Sequence, residues 1–106
     1  MIDEKYIKIA RKKAKQSDCR YKVSALAFNK KGDLIYKTTN VHRLGKKGGG
    51  IHAEMRAMAK YGPLIKTLII CRVNNSGHIL PIDPCKACAR KAEELGIKIK
   101  TISNEN

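Results

Sequence analysis

Two short segments hold the residue types most suited to chemistry: His52-Ala53-Glu54 and Pro84-Cys85-Lys86-Ala87-Cys88. Zinc accepts imidazole nitrogen and thiolate sulfur readily, and a catalytic zinc keeps three protein ligands with a fourth position open. His52, Cys85 and Cys88 supply those three. The two cysteines are three apart beside a proline, which is metal-ligand spacing, whereas Cys19 and Cys71 stand alone in other segments. A purely structural zinc site needs a fourth ligand, for which His78 or Cys71 is available, but it has no use for a carboxylate two residues from the histidine. Glu54 at that place fits a group that stays beside the metal without binding it and carries protons.

Both segments stand at expected helix starts. The free N–H groups and the positive dipole end of a helix stabilise thiolates. Asp83 and Pro84 read as a cap followed by proline at the first helical position, with the helix running to about Leu95 and closed by Gly96. Cys85 and Cys88 are then i and i+3, with both sulfurs leaving one side. The glycine run Gly48-Gly49-Gly50 leads into a second helix, from Ile51 to about Tyr61, whose apolar side is Met55, Met58 and Ala59. On an ideal helix His52 and Glu54 point apart. In the first turn the histidine can lean over the helix end while the glutamate faces the same pocket.

The remaining elements must bring the two segments together. Asp3 to about Gln16 reads as a helix, with Ile2, Tyr6, Ile9, Ala10 and Ala14 as its apolar stripe, Asp3 as its cap and a basic outer face. Val23 to Phe28 is a strand apolar on both faces, with Val23, Ala25 and Ala27 on one and Leu26 and Phe28 on the other, as for a central strand. A Lys30-Lys31-Gly32-Asp33 turn joins it to a strand over Leu34 to Thr38. Asn40 to Gly50 is a loop. Thr67 to Val73 is a buried strand that includes Cys71 as core, Asn74 to Asp83 is irregular, and Ile97 to Ile102 is a last short strand. Arg20 and Tyr21, just before the first strand, either edge a pocket or pack. Strands separated by helices favour parallel pairing through right-handed crossovers. The expected fold is α/β, a three-layer α/β/α sandwich on a mixed sheet of four or five strands, and residues 1–106 form one domain.

Length and composition narrow the function. A chain of 106 residues supports one modest core. No apolar run is long enough to cross a bilayer, so no membrane partner is expected. Met1 leads into Ile2, Asp3 and Glu4 without a charged-then-apolar leader, so the expected location is cytoplasmic, where thiols remain reduced. The net charge of +14 implies attraction to polyanions. Eleven basic residues fall in three clusters: Lys5 to Lys15, Lys30-Lys31, and Arg43 to Lys47. Against a polynucleotide ligand stands the scarcity of stacking surface, with no tryptophan and one phenylalanine.

His-x-Glu followed about thirty residues on by Pro-Cys-x-x-Cys resembles the cytidine deaminase superfamily. The resemblance extends over about Lys22 to Ile102, because Lys22 to Asn40 looks like the family's first hairpin and its substrate-binding asparagine. It implies one Zn2+ held by His52, Cys85 and Cys88, with Glu54 as proton shuttle. It also implies substrate contacts at Asn40 and Ala53, and main-chain N–H groups after Pro84 that orient the attacking water. The implied activity is hydrolytic conversion of cytosine to uracil, with release of ammonia, in a nucleoside, a nucleotide or single-stranded nucleic acid. Two alternatives stand beside it: an adenosine deaminase acting on tRNA or other nucleic acid, and a non-catalytic, zinc-stabilised nucleic-acid-binding module. The resemblance further implies a homodimer or higher homo-oligomer. A histidine as first ligand departs from the all-cysteine sites of free cytidine deaminases, and the chain stops where larger members add a fifth strand and further helices.

Overall fold

The computed structural model describes residues 2–41 and 51–103. In chain order the elements are α1 (Glu4–Ala14), β1 (Lys22–Phe28), β2 (Leu34–Thr39), α2 (Ala53–Tyr61), a short 3-10 turn (Gly62–Leu64), β3 (Thr67–Val73), β4 (Ile79–Leu80), α3 (Lys86–Leu95) and β5 (Lys98–Thr101). Asp3 caps α1 as expected, its carboxylate accepting the Lys5 N–H at 2.9 Å, an arrangement that contributes about 1 kcal/mol. Gly62 and Pro63 end α2, and Gly96 ends α3 in the left-handed conformation at φ 71°.

The sheet runs β2-β1-β3, with β4 and β5 both on the far side of β3. β4 pairs antiparallel with Arg72 and Val73, and β5 pairs parallel with Thr67 to Ile70. The segment Asn74 to Asp83 is therefore not wholly irregular: Ile79 and Leu80 extend the sheet to five strands. Parallel pairing through a helix holds for β3 and β5. It does not hold for β2 and β3, which flank β1 and are each antiparallel to it. A central, doubly covered β1 takes that place because its residues from Val23 to Phe28 are all buried.

Alternation along the strands divides the core in two. Val23, Ala25, Ala27, Leu68 and Ile70 pack on α2 and α3 through Ala53, Ala57, Met58, Cys88 and Ala92. Leu26, Phe28, Ile69, Cys71 and Val73 pack on α1 through Ala10 and Ala14. Helices on both faces of a mixed sheet make the three-layer α/β/α sandwich. The buried side of α2 differs from the expected one: Ala57 takes the place of Ala59, which is exposed, and Met55 is only partly buried. The helix begins at Ala53 rather than Ile51, and its buried residues, Ala53, Glu54, Ala57 and Met58, lie on one face at spacings of three and four. No disulfide joins the four cysteines, and among the described residues no helix is long and apolar enough to cross a membrane. The loop residues His42 to Gly50, with the basic cluster Arg43 to Lys47 and the glycine run, lie outside the described residues.

Candidate active site

The site forms where α2 and α3 begin, and each helix places a metal ligand at its cap. Ile51 exchanges backbone hydrogen bonds with Val41 at 2.8 and 3.1 Å. This bridge fixes the entry into α2 and keeps His52 extended at φ −68°, ψ 147° as the cap residue. An extended cap residue throws its side chain sideways over the helix end, which is how His52 and Glu54 come to serve one pocket despite their spacing. α3 is built likewise. Cys85, not Asp83, is its cap, at φ −67°, ψ 158°, and its sulfur accepts the Cys88 N–H at 3.3 Å. Asp83 and Pro84 precede the helix as irregular chain, and the thiol takes the capping role that the Asp-Pro pair suggested for the carboxylate.

His52 Nδ1 lies 3.3 Å from Cys88 Sγ, and Cys85 Sγ lies 3.1 Å from Cys88 Sγ. The ligand atoms of all three residues fall within 4.8 Å of one another. With metal–ligand bonds of about 2.0–2.3 Å, the edges of a tetrahedral zinc site measure about 3.5–3.8 Å. The two edges at Cys88 are thus within a few tenths of an ångström to about 0.7 Å of those of a zinc site, and the third lies within 4.8 Å. The donor set also suits zinc: one nitrogen and two sulfurs, at two converging positive helix ends. His52 is exposed, Cys85 half-buried and Cys88 fully buried.

Glu54, at the second position of α2, is 3% exposed. Burial pushes the Cys88 thiol well above its ordinary range, the hydrogen bond with Cys85 adds to the effect, and the charge of Glu54 adds further. A divalent cation reverses this balance, because a coordinating thiol is deprotonated outright. A carboxylate, two thiols and an imidazole are thus held together in one site, where a bound cation would favour the Cys88 thiolate that burial disfavours.

The site opens into a cleft of about 360 Å3, within the range of small-molecule sites, about 300–1,000 Å3. His52, Ala53, Glu54 and Cys85 form its metal end. Asn40 lines it as well, but its amide already has work. Oδ1 accepts from Ser17 Oγ at 2.7 Å and from the Val23 N–H at 3.1 Å, and Nδ2 donates to the Tyr21 carbonyl. This side chain ties the end of β2 to the segment before β1. The amide has two N–H groups and spends one on Tyr21, which leaves one for a ligand.

The two candidate fourth ligands are not at the site. Cys71 is buried on the opposite face of the sheet, with α1, and His78 is exposed on the turn before β4. Tyr21, Val23, Ile82 and Asp83 complete the cleft. Tyr21, 51% exposed, edges the pocket instead of packing into the core. The site roles of Ile82 and Asp83 had no sequence signal beyond adjacency to Pro84. Ser17 had none at all, since its part is to hold Asn40 from 23 residues away.

Similarity to known proteins follows this geometry. A search of curated protein sequences finds no match. Among solved structures, the chain resembles cytidine deaminase from Burkholderia pseudomallei, with a TM-score of 0.68 at 20% identity, over 96% of this chain and 87% of that one. It also resembles cytidine deaminase from Mycobacterium leprae, with a TM-score of 0.67 at 20% identity, over 95% and 89%. The enzyme from Mycobacterium tuberculosis gives a TM-score of 0.57 at 21% identity, over 96% and 85%. At these identities the likeness establishes the shared fold. Residues 1–103 match the family described as the cytidine and deoxycytidylate deaminase zinc-binding region, a span that includes both ligand-bearing helix caps, and the chain accordingly belongs to that zinc-binding deaminase family.

Proposed function

We propose that this protein is a zinc-dependent hydrolase that converts cytosine to uracil in a nucleoside, nucleotide or single-stranded polynucleotide, and that Glu54 is its proton carrier. The observation that carries the reading is the buried Glu54 carboxylate beside the His52–Cys85–Cys88 triangle at the floor of an open cleft. His52, Cys85 and Cys88 are the ligand set, and zinc, when bound, supplies the Lewis acidity that makes water nucleophilic at neutral pH.

The chain's own groups then have separate tasks. Glu54 takes a proton from the attacking water as its oxygen bonds to C4 of the base, and delivers that proton to N3. Glu54 next takes the proton of the new C4 hydroxyl and passes it to the amino nitrogen. The C4–N4 bond breaks, ammonia leaves, and the C4 carbonyl of uracil forms. In this reading the remaining Asn40 N–H and the Ala53 backbone, both lining the cleft, orient the base or sugar. In the same reading the Cys85 main-chain N–H, following Pro84, orients the water. The charge of +14 favours substrates that carry phosphate over neutral nucleosides.

The test is an ammonia-release screen over cytidine, its mono- and triphosphates, and single-stranded oligonucleotides, with matched adenine substrates. Uracil products support the reading. Inosine-type products alone would assign the adenine reaction, and no ammonia from any substrate by the zinc-loaded protein would leave a zinc-stabilised binding module.

A further inference from the structure

Arg72 stands where the strand pattern calls for an apolar side chain. In β3, Leu68 and Ile70 face α2 and α3 and are fully buried, and Arg72 is the next residue in that alternation. Its register partner is Val23, which lines the catalytic cleft. The guanidinium is thereby delivered to the end of the sheet beside the site. There its carbon lies 3.8 Å from the centroid of the Tyr21 ring, and its Nε is buried without a hydrogen-bond partner among the described residues.

Tyr21 lines the cleft while about half exposed. A side chain with that much freedom populates several staggered rotamers, and a planar cation stacked on one ring face selects among them. Two features make the arrangement selective. Burial of Nε strengthens attraction to the ring, because cation–π contacts gain when desolvated. A guanidinium plane can lie flat on an aromatic face, whereas an ammonium acts as a point charge.

We propose that Arg72 is a positioning residue for substrate recognition: stacked on one face of Tyr21, it holds that ring as a preset wall of the cleft, ready for a planar base. The inference rests on the cleft being a nucleobase site. Pre-organising a wall lowers the cost of binding and leaves the proton transfers at Glu54 unchanged. Loss of Arg72 therefore raises KM and spares kcat. The expected rise is about 2- to 30-fold, the range of a cation–π contact from exposed to desolvated.

The experiment compares Arg72→Met, which keeps the apolar stem, with Arg72→Lys, which keeps the charge, each checked for zinc content and melting temperature. With cytidine monophosphate as probe, Arg72→Met should raise KM within that range at nearly constant kcat, and Arg72→Lys should fall between it and the parent. In a Tyr21→Leu background, Arg72→Met should add nothing. A second readout needs no turnover. In Tyr21→Trp protein, Arg72→Met should increase acrylamide quenching of the indole and lower its anisotropy. Unchanged KM together with unchanged indole quenching overturns the proposal, as does a KM effect that persists in full without the Tyr21 ring. If no cytosine substrate is turned over at all, the proposed function fails, and the indole readout still decides the role of Arg72.

Discussion

Replacing Glu54 by glutamine separates proton transfer from everything else this residue does. Glutamine matches glutamate in volume, which matters at a position 3% exposed in the first turn of α2. It accepts hydrogen bonds but cannot take a proton from water at neutral pH. General acid–base catalysis contributes about 10²–10⁴-fold, which corresponds to roughly 2.7–5.4 kcal/mol of barrier. In the proposed mechanism one carboxylate serves two successive transfers, so the loss in kcat belongs at the upper end, about 10⁴-fold. Metal binding should survive. The Glu54 charge is one of the causes that hold the Cys88 thiol protonated, so its removal eases thiolate formation. The assay is ammonia release under substrate saturation, with metal content measured on the same preparation and thermal melting as the check on fold. A zinc-loaded, folded Glu54→Gln protein with a rate within tenfold of the parent would refute the shuttle. Loss of zinc in this variant would show that the carboxylate holds the metal site together instead.

Other outcomes follow from the same geometry. Cys85→Ala removes both a ligand and the sulfur that caps α3, so zinc per chain should fall well below one and the melting temperature should drop with it, as chelation of the parent should also show. Zinc affinity should weaken as pH falls, by up to about 100-fold per unit if both thiols release protons on binding, measured by competition with a chromophoric chelator. Asn40→Ala removes the acceptor of the part-buried Val23 N–H, the donor to the Tyr21 carbonyl and one partner of the Ser17 hydroxyl, so it should destabilise the fold by about 1–3 kcal/mol in denaturant melts, in addition to raising KM. A polynucleotide substrate should bind with a log–log salt slope of roughly −0.7 per phosphate contacted, and neutralising Lys46 and Lys47 should flatten it; salt-insensitive oligonucleotides beside an active mononucleotide would reduce the charge to a solvated surface. Sedimentation at working concentrations should show a homo-oligomer, a dimer being the commonest closed form, and a monomer would refute that expectation.

The sequence by itself determined the elements and the chemical inventory, because both depend on near neighbours in the chain. Two-sided burial of β1 was legible from the apolar run Val23 to Phe28, and the α1 cap from Asp3. The ligand set was legible from the spacing of His52, Cys85 and Cys88 around a proline. Tertiary structure alone decided how these local features meet. The parallel-pairing rule is silent on strand order, so although β1 reads as a central strand, its second neighbour, β3, antiparallel to it, emerged only from the packed sheet. β4 has two residues, too few for any period, and forms because β3 leaves an edge at Arg72 and Val73. The choice of Cys85 over Asp83 as cap turns on a single N–H to sulfur contact within α3. Asn40 shows the same division most clearly. Its type and place suggested a substrate contact, yet most of its hydrogen-bonding capacity goes to Ser17, Tyr21 and Val23, residues 17 to 23 positions away. Arg72 looked like one more positive charge among 23. Only the register of β1 on β3 puts it beneath Tyr21, since contact between residues 51 positions apart is set by strand pairing and not by spacing along the chain.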